Sequence, residues 1–373
     1  MSSLTSLNNR YGDDKVHDAC GLFGIMDTTG RRFGAEAAIR AIANMHERGN
    51  GLGGGFAIYG IYPQFKEDYA LHIMYLNQDS KQRTEEIIDN TFSVRHAEEI
   101  PVDASAKVVN PPITWRYFVS PKKNLQRGQS TDDFVVGTVM RINTETHGAY
   151  VFSSGKDMGV FKGVGFPEDV AEYFRLNEYE GYLWVSHSRF PTNTPGWWGG
   201  AHPFSILDWT VVHNGELSSY GTNRRYLETY GYNCTMQTDT EVLAYALDLL
   251  RRRQNLPLPI VAKILAPPFW EEIDEMEPTK KQFYLTIRAC YGSLLMNGPF
   301  SIIAARQGEM VGLSDRMKLR PLVAATDRDS FYISSEESAI RAVAPTLERV
   351  WNAVGGEPVV ATLKNVTPLV VAT

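Results

Sequence analysis

The sequence has few cysteines and no long apolar run. Its three cysteines, Cys20, Cys234 and Cys290, are far apart and form no C-x-x-C pair. Neither a disulfide framework nor a zinc site is therefore predicted. The longest apolar stretches, such as 368–372, are too short to cross a bilayer. We expect no metal site and no membrane partner.

A basic surface is also missing. The net charge is −6, and acidic and basic residues are interspersed along the chain. No stripe of Lys and Arg is therefore available to neutralise a nucleic-acid backbone, and we expect no nucleic-acid partner. Residues 1–19 are polar and lack the apolar centre of a secretory signal, so a cytoplasmic protein is predicted.

The composition is that of a globular chain, with 43% hydrophobic residues. Strand-like runs and helices are grouped without regular βαβ alternation, which favours an α+β fold. Residues 134–142 are rich in β-branched side chains and are predicted to form a strand. Thr238, with Glu241 three residues later, has the capping-box pattern that begins a helix.

Cys20 lies directly before an apolar run that predicts a buried strand. A cysteine in this setting is more often an inert packed residue than a nucleophile. Its position suggests another interpretation, because removal of the polar leader after Ala19 would leave a free α-amine on Cys20. Such an amine titrates near 7.7 to 8.0, so it can act as a general base at neutral pH.

His213-Asn214-Gly215 allows two interpretations. From spacing alone the Asn-Gly pair favours a two-residue hairpin turn. Alternatively, the Asn214 amide and the Gly215 backbone N–H stabilise a developing oxyanion, as acyl transfer requires. Both interpretations can hold together, since a tight turn orients such donors.

Two charged residues are candidates for substrate binding. Arg189 follows a predicted strand, and its guanidinium can hold a carboxylate through two parallel hydrogen bonds, although such an arginine is usually a surface group. Asp239 lies in the first turn of a predicted helix, where the helix dipole alone would stabilise it. It could equally hold a substrate ammonium. The glycine-rich run 51–55 lacks the spacing of a nucleotide loop, so no cofactor is expected in this chain.

Several segments, taken in chain order, resemble those of one known family. They are Cys20-Gly21-Leu22-Phe23-Gly24, Arg48-Gly49, Phe161-Lys162-Gly163-Val164-Gly165, His187 to Thr192, Ala201-His202-Pro203-Phe204, His213-Asn214-Gly215, Thr238-Asp239-Thr240-Glu241, Ser314-Asp315-Arg316, Leu319-Arg320-Pro321-Leu322, Ser334-Ser335-Glu336-Glu337 and Gly355-Gly356-Glu357. The family is that of the class II glutamine amidotransferases, whose nucleophile is an N-terminal residue. The resemblance spans about residues 20–362.

The resemblance implies a fold and a set of roles. The fold is a four-layer αββα sandwich. Cys20 would be the nucleophile with its own amine as base, and Asn214 and Gly215 would form the oxyanion hole. The substrate, L-glutamine, would be bound by the residues that match the family's binding positions, namely Arg189, Thr192 and Asp239. Arg48 matches a residue that helps to position the N-terminus.

The resemblance also implies domain boundaries and partners. Residues 1–19 would be a removable leader, 20–363 the amidotransferase domain with an enlarged insertion around 69–151, and 364–373 a tail. The sequence most closely resembles stand-alone subunits of split glutamate synthase and of N-methylglutamate synthase. A synthase subunit, which could carry FMN and an iron-sulfur cluster, and a further structural subunit are therefore expected as partners.

Two other functions remain open at this point. One is a papain-like hydrolase using Cys20, His213 and Asn214, which would be active with the leader attached. The other is a non-hydrolytic scaffold with an uncleaved leader, which would only assemble a synthase.

Overall fold

The computed structural model describes residues 19–126, 128–190 and 196–364. Its strands, in chain order, are β1 (Gly21–Asp27), β2 (Phe33–Gly34), β3 (Gly54–Tyr59), β4 (Tyr69–Tyr75), β5 (Phe92–Glu99), β6 (Ile113–Pro121), β7 (Ala149–Ser153), β8 (Met158–Gly163), β9 (Glu180–Gly181), β10 (Leu183–Ser188), β11 (Phe204–Ile206), β12 (Trp209–Gly215), β13 (Phe300–Arg306), β14 (Glu309–Ser314), β15 (Val323–Asp327), β16 (Ser330–Ser334), β17 (Arg349–Asn352) and β18 (Val359–Thr362). The helices are α1 (Glu36–Asn44), α2 (Gln78–Thr91), α3 (Thr131–Glu145), α4 (Pro167–Tyr173), α5 (Tyr220–Glu228), α6 (Asp239–Leu247), α7 (Leu258–Leu265), α8 (Trp270–Asp274), α9 (Pro278–Tyr291) and α10 (Glu337–Val343).

Two antiparallel sheets face each other at the centre of the fold. The larger has the strand order β17-β15-β16-β1-β10-β3-β8, and the smaller has the order β11-β12-β13-β14-β18. Helices α1, α4 and α10 pack on the outer face of the larger sheet, while α6 packs on β11 and β12. Because β1 and β10 contact β12 across the interface, the layers are αββα. The predicted α+β sandwich is confirmed.

Close packing and one buried hydroxyl hold the two sheets together. A Cβ at Gly24 would lie 2.7 Å from the Met310 sulfur, so a larger residue would force the Met310 side chain to shift. The Tyr59 hydroxyl lies 2.8 Å from the Thr210 hydroxyl and 2.7 Å from the Ala305 carbonyl oxygen. A buried hydroxyl must be hydrogen-bonded to avoid a desolvation cost, so Tyr59 fixes the position of one sheet on the other.

Residues 69–153 carry a further sheet beside the sandwich. Strands β5, β6, β4 and β7 make a four-stranded sheet in that order, and α2 and α3 pack against it. Its description as an enlargement of the family core stays a prediction, as do the leader and the tail. Of those two segments, only Ala19 and Lys364 lie within the described residues.

The strand predicted at residues 134–142 is wrong, because these residues lie within helix α3. Ser130 caps this helix by accepting a hydrogen bond from the Asp133 N–H at 3.1 Å. The buried side chains include Val135, Val139 and Ile142, at the spacing of one helix face. The N-cap hydrogen bond and the helical spacing of buried residues favour a helix more strongly than the β-branched composition favours a strand.

No helix in the described ranges is both long enough and apolar enough to span a bilayer.

Replacement of Ser130 tests the capping of α3. Ser130→Ala removes the acceptor of the Asp133 N–H, so we expect the free energy of unfolding to fall by about 1 kcal/mol. Denaturant unfolding measures this change. Ser130→Thr, which keeps a capping hydroxyl, should lose less, and equal stability of Ser130→Ala and the parent protein would contradict the capping role.

Candidate active site

One cavity of about 210 Å³ lies where β1 begins and where β10 and β12 end. Its lining residues are Cys20, Arg189, Phe190, His202, His213, Gly215, Glu216, Leu217, Tyr220, Gln237, Thr238, Asp239 and Thr240. It therefore brings together Cys20, Arg189, Gly215 and Asp239, which the sequence predicted to act together. Thr192 lies outside the described residues.

Antiparallel pairing explains why Cys20 lies beside Arg189. Gly21 of β1 faces Ser188 of β10, so the residues just beyond these two strand positions are neighbours. The Cys20 sulfur accepts a hydrogen bond from the Phe190 N–H at 3.3 Å and lies 3.9 Å from the Phe190 carbonyl oxygen. The backbone of Phe190 thus holds the thiol at the cavity wall.

The environment of Cys20 favours the neutral thiol. Burial raises the pKa of this thiol, while the Phe190 N–H and the positive charges of Arg189 and Arg48 oppose the rise without cancelling it. Only the thiolate is strongly nucleophilic. Cys20 therefore needs a base to remove its proton near neutral pH.

Arg48 holds the backbone of Cys20 and does not line the cavity. Its Nε donates to the Cys20 carbonyl oxygen at 3.0 Å. The same guanidinium forms an ion pair with Glu336 at 2.8 Å. Arg48 is thus fixed by a residue from the far end of the sequence, and its role in positioning the N-terminus stays a prediction.

The hairpin predicted at Asn214-Gly215 is wrong. Strand β12 continues through both residues and pairs with β13, so that Asn214 faces Ser301 and Gly215 faces Phe300. No second strand begins at residue 216, because residues 216–219 pass from β12 towards α5. The Asn-Gly pair instead ends a central strand at the cavity.

Both residues at the end of β12 have properties suited to an anion-binding role. Asn214 is 1% exposed, and its side-chain nitrogen has no hydrogen-bond partner among the described residues. Gly215 has φ 147°, and a Cβ there would lie 1.9 Å from the Pro299 carbonyl oxygen. Glycine is required at 215. The Asn214 amide is a buried donor without a described partner, although Asn214 is not one of the residues that line the cavity.

Asp239 begins α6 and carries a negative charge into the cavity. Its carboxylate accepts the Leu217 N–H at 2.8 Å and lies 3.6 Å from His213 Nδ1. Burial alone would raise the pKa of Asp239, but His213 and the Leu217 N–H lower it below its ordinary value. Asp239 is therefore ionised at neutral pH, opposite the guanidinium of Arg189.

Three buried histidines lie at the cavity, and two of them, His202 and His213, line it. The rings of His187 and His202 stack at 4.0 Å, and His187 Nε2 lies 3.0 Å from the His213 carbonyl oxygen. Burial lowers the pKa of His187 to about 3 and that of His202 well below its ordinary value. The sequence motifs contained all three histidines, but no local pattern indicated that they form one cluster.

Two further contributors were also missed. Glu336 anchors Arg48, although the segment Ser334–Glu337 had been noticed only as a motif. Glu241 was predicted to close a capping box, but its carboxylate instead accepts the N–H groups of Thr235 and Met236 at 3.0 and 2.9 Å. It thereby holds the loop that leads to Gln237 and Thr238 of the cavity wall.

Comparison with known proteins identifies a family model that matches residues 59–352, described as glutamine amidotransferases class-II. The match begins after Cys20 and Arg48. An uncharacterized protein of Archaeoglobus fulgidus is 62% identical over 94% of this chain and 94% of that protein. A candidate glutamine amidotransferase of Methanothermobacter thermautotrophicus is 27% identical over 88% of this chain and 95% of that protein.

Larger proteins show more limited similarity. The glutamine–fructose-6-phosphate aminotransferase of Vibrio cholerae is 25% identical over 57% of this chain, which spans 32% of that protein. The solved glutamine phosphoribosylpyrophosphate amidotransferase of B. subtilis overlaps with a TM-score of 0.46 and 16% identity, covering 92% of this chain and 47% of that one. The fold assignment rests on the sheets and layers of the present chain.

The pH dependence of alkylation tests the state of the Cys20 thiol. Because burial raises its pKa, less thiolate is present at neutral pH than for a free cysteine. In the full-length chain, iodoacetamide labelling of Cys20 should keep accelerating above pH 9. Mass spectrometry of the labelled peptide measures this rate, with exposed Cys290 as the internal reference. A rate that levels off below pH 8 would contradict the assignment.

Proposed function

Because the chain belongs to the class II glutamine amidotransferases, we propose that it hydrolyses L-glutamine to glutamate and ammonia through a thioester on Cys20. The main support is that Cys20, Arg189, Gly215 and Asp239 all line one small cavity. Its volume of about 210 Å³ is below the roughly 300–1,000 Å³ of pockets for drug-sized ligands, as suits a free amino acid.

The two opposite charges suit the two ends of an amino acid. Arg189 would hold the α-carboxylate through parallel hydrogen bonds, and Asp239 would hold the α-ammonium. This leaves the side-chain amide of glutamine to reach Cys20. Thr192, assigned from the family resemblance, would complete the binding set.

The base is proposed to be the α-amine of Cys20 itself. Among the described residues, the hydrogen-bond partners of the sulfur are backbone groups of Phe190, and no imidazole hydrogen bond to it is present. His213 Nδ1 instead faces Thr240 at 3.1 Å. These contacts favour an N-terminal nucleophile over the papain-like alternative, so cleavage after Ala19 is part of the proposal.

The reaction then proceeds in two balanced steps. The amine takes the thiol proton as the sulfur attacks the amide carbon, and the same proton passes to the departing nitrogen, which leaves as ammonia. Water next attacks the thioester, which releases glutamate and restores the thiol. In both steps the oxyanion would receive hydrogen bonds from the Asn214 side chain and the Gly215 N–H.

The ammonia is proposed to pass to a glutamate-synthase-type partner, with an N-methylglutamate synthase as the alternative acceptor. Support comes from the family resemblance and from an exposed apolar surface at Met317 and Leu319, each 58% exposed. This surface borders a second cavity that includes Asn297. Asn297 hydrogen-bonds Ser218, just beyond the active-site wall.

Replacement of the proposed catalytic residues tests hydrolysis directly. The protein is produced with Cys20 as its first residue, and ammonia release from glutamine is measured. Cys20→Ala should abolish release, whereas Cys290→Ala, at an exposed cysteine, should not change it. Asn214→Ala should lower kcat by about 100- to 1,000-fold, as expected for one lost oxyanion donor. An active Cys20→Ala protein would refute the proposal.

Replacement of glutamine by ammonium tests delivery to a partner. In the complex purified with its native subunits, Cys20→Ala should block glutamine-dependent product formation because no ammonia is made. An added ammonium salt should restore product formation, since the synthase site would be intact. Comparing 2-oxoglutarate with methylamine-linked substrates as acceptors distinguishes the two synthases. Failure of ammonium to restore any product would contradict a delivery role.

A further inference from the structure

A buried hydroxyl connects two of the active-site histidines to Asp239. Thr240 is 0% exposed, and its Oγ1 lies 2.7 Å from His202 Nε2 and 3.1 Å from His213 Nδ1. The same oxygen lies 3.5 Å from Asp239 Oδ1. Four polar side chains from three parts of the chain therefore meet at one oxygen atom.

The buried surroundings determine which ring nitrogens carry hydrogen. His202 Nδ1 and His213 Nε2 are buried and have no hydrogen-bond partner in the described part of the chain. A hydrogen on either atom would be a buried donor without an acceptor, which is costly. The hydrogens therefore belong on His202 Nε2 and His213 Nδ1, the nitrogens that face Thr240.

This assignment fixes the direction of the Thr240 hydroxyl. A hydroxyl oxygen can accept two hydrogen bonds and donate one. With both imidazole N–H groups directed at Oγ1, neither ring offers an acceptor to the hydroxyl hydrogen. Among the described residues, the other acceptor within hydrogen-bond distance of Oγ1 is Asp239 Oδ1 at 3.5 Å, to which Thr240 donates.

We infer that Thr240 is a positioning residue. Its Oγ1 accepts hydrogen bonds from His202 and His213, and its hydroxyl donates one to the carboxylate of Asp239. With the Leu217 N–H on the other carboxylate oxygen, Asp239 is held from both sides. The orientation and charge that bind the substrate ammonium would thus depend on a residue that need not touch the substrate. This inference rests on the proposed role of Asp239 in binding the substrate ammonium.

The groups around Asp239 determine how loss of the Thr240 hydroxyl would change the protonation of the Asp239 carboxylate. Asp239 is faced by His213 from β12, and by Arg189 and Cys20 across the cavity. The other acid in this turn, Glu241, is held by the N–H groups of Thr235 and Met236. Without the Thr240 donor, the Asp239 carboxylate should protonate more easily.

The kinetic test compares Thr240→Val with Thr240→Ser in protein that begins at Cys20. Valine keeps the shape but not the hydroxyl, so KM for glutamine should rise about tenfold, as for a lost hydrogen bond to a charged group, with a smaller change in kcat. The acidic limb of the kcat/KM profile should move to higher pH. Serine keeps the hydroxyl and should restore both values.

An unchanged KM and pH profile in Thr240→Val would overturn the inference, and so would a serine variant as impaired as the valine variant. Nitrogen NMR of histidine-labelled parent protein supplies a test that needs no activity or variant. It should find hydrogen on His202 Nε2 and His213 Nδ1, and the opposite tautomer at either ring would also overturn the inference. Absence of glutamine hydrolysis by the parent protein would count against the proposed function and leave the NMR result decisive for Thr240.

Discussion

The pairing of β1 with β10 is the constraint on which the rest of the site depends. It places Gly21 opposite Ser188, so Cys20 emerges beside Arg189 and the backbone of Phe190. The His187 ring then bonds the His213 carbonyl oxygen in the facing sheet. Strand β12 ends at Gly215, which lines the same cavity.

Burial at this junction favours the neutral form of its ionisable side chains. It keeps the Cys20 thiol protonated and the His187 and His202 rings neutral. Asp239 stays ionised because nearby donors outweigh the desolvation of its carboxylate. The site thus contains an ionised Asp239 that can bind a ligand, but its Cys20 thiol is protonated and therefore a weak nucleophile. The proposed activation by the Cys20 amine would link catalysis to removal of the leader.

Much of this arrangement could be predicted where the sequence pattern is local. Strand β1 was predicted from an apolar run and the start of helix α6 from Thr238, and the roles proposed for Cys20, Arg189 and Asp239 followed from ordered motifs. Helix α3 was misassigned because its β-branched residues concealed a capped amphipathic helix. Helix α2 was not predicted, since most of its residues are polar and only four are buried.

The unpredicted parts of the site come from contacts between distant segments. Arg48 and Glu336 are separated by 288 positions, and no local pattern indicates their ion pair. Asn214-Gly215 has the composition of a hairpin turn, but pairing with β13 extends β12 through it. The Thr240 cluster likewise forms only when α6 packs on β12.

The central claim is that the active nucleophile is an N-terminal cysteine. Intact-mass measurement of the protein isolated with its native partners, combined with a glutamine hydrolysis assay of the same sample, tests this claim most directly. The account predicts that the hydrolysing species begins at Cys20. A fully active species that retains Met1 or Ser2 at its N-terminus would contradict it.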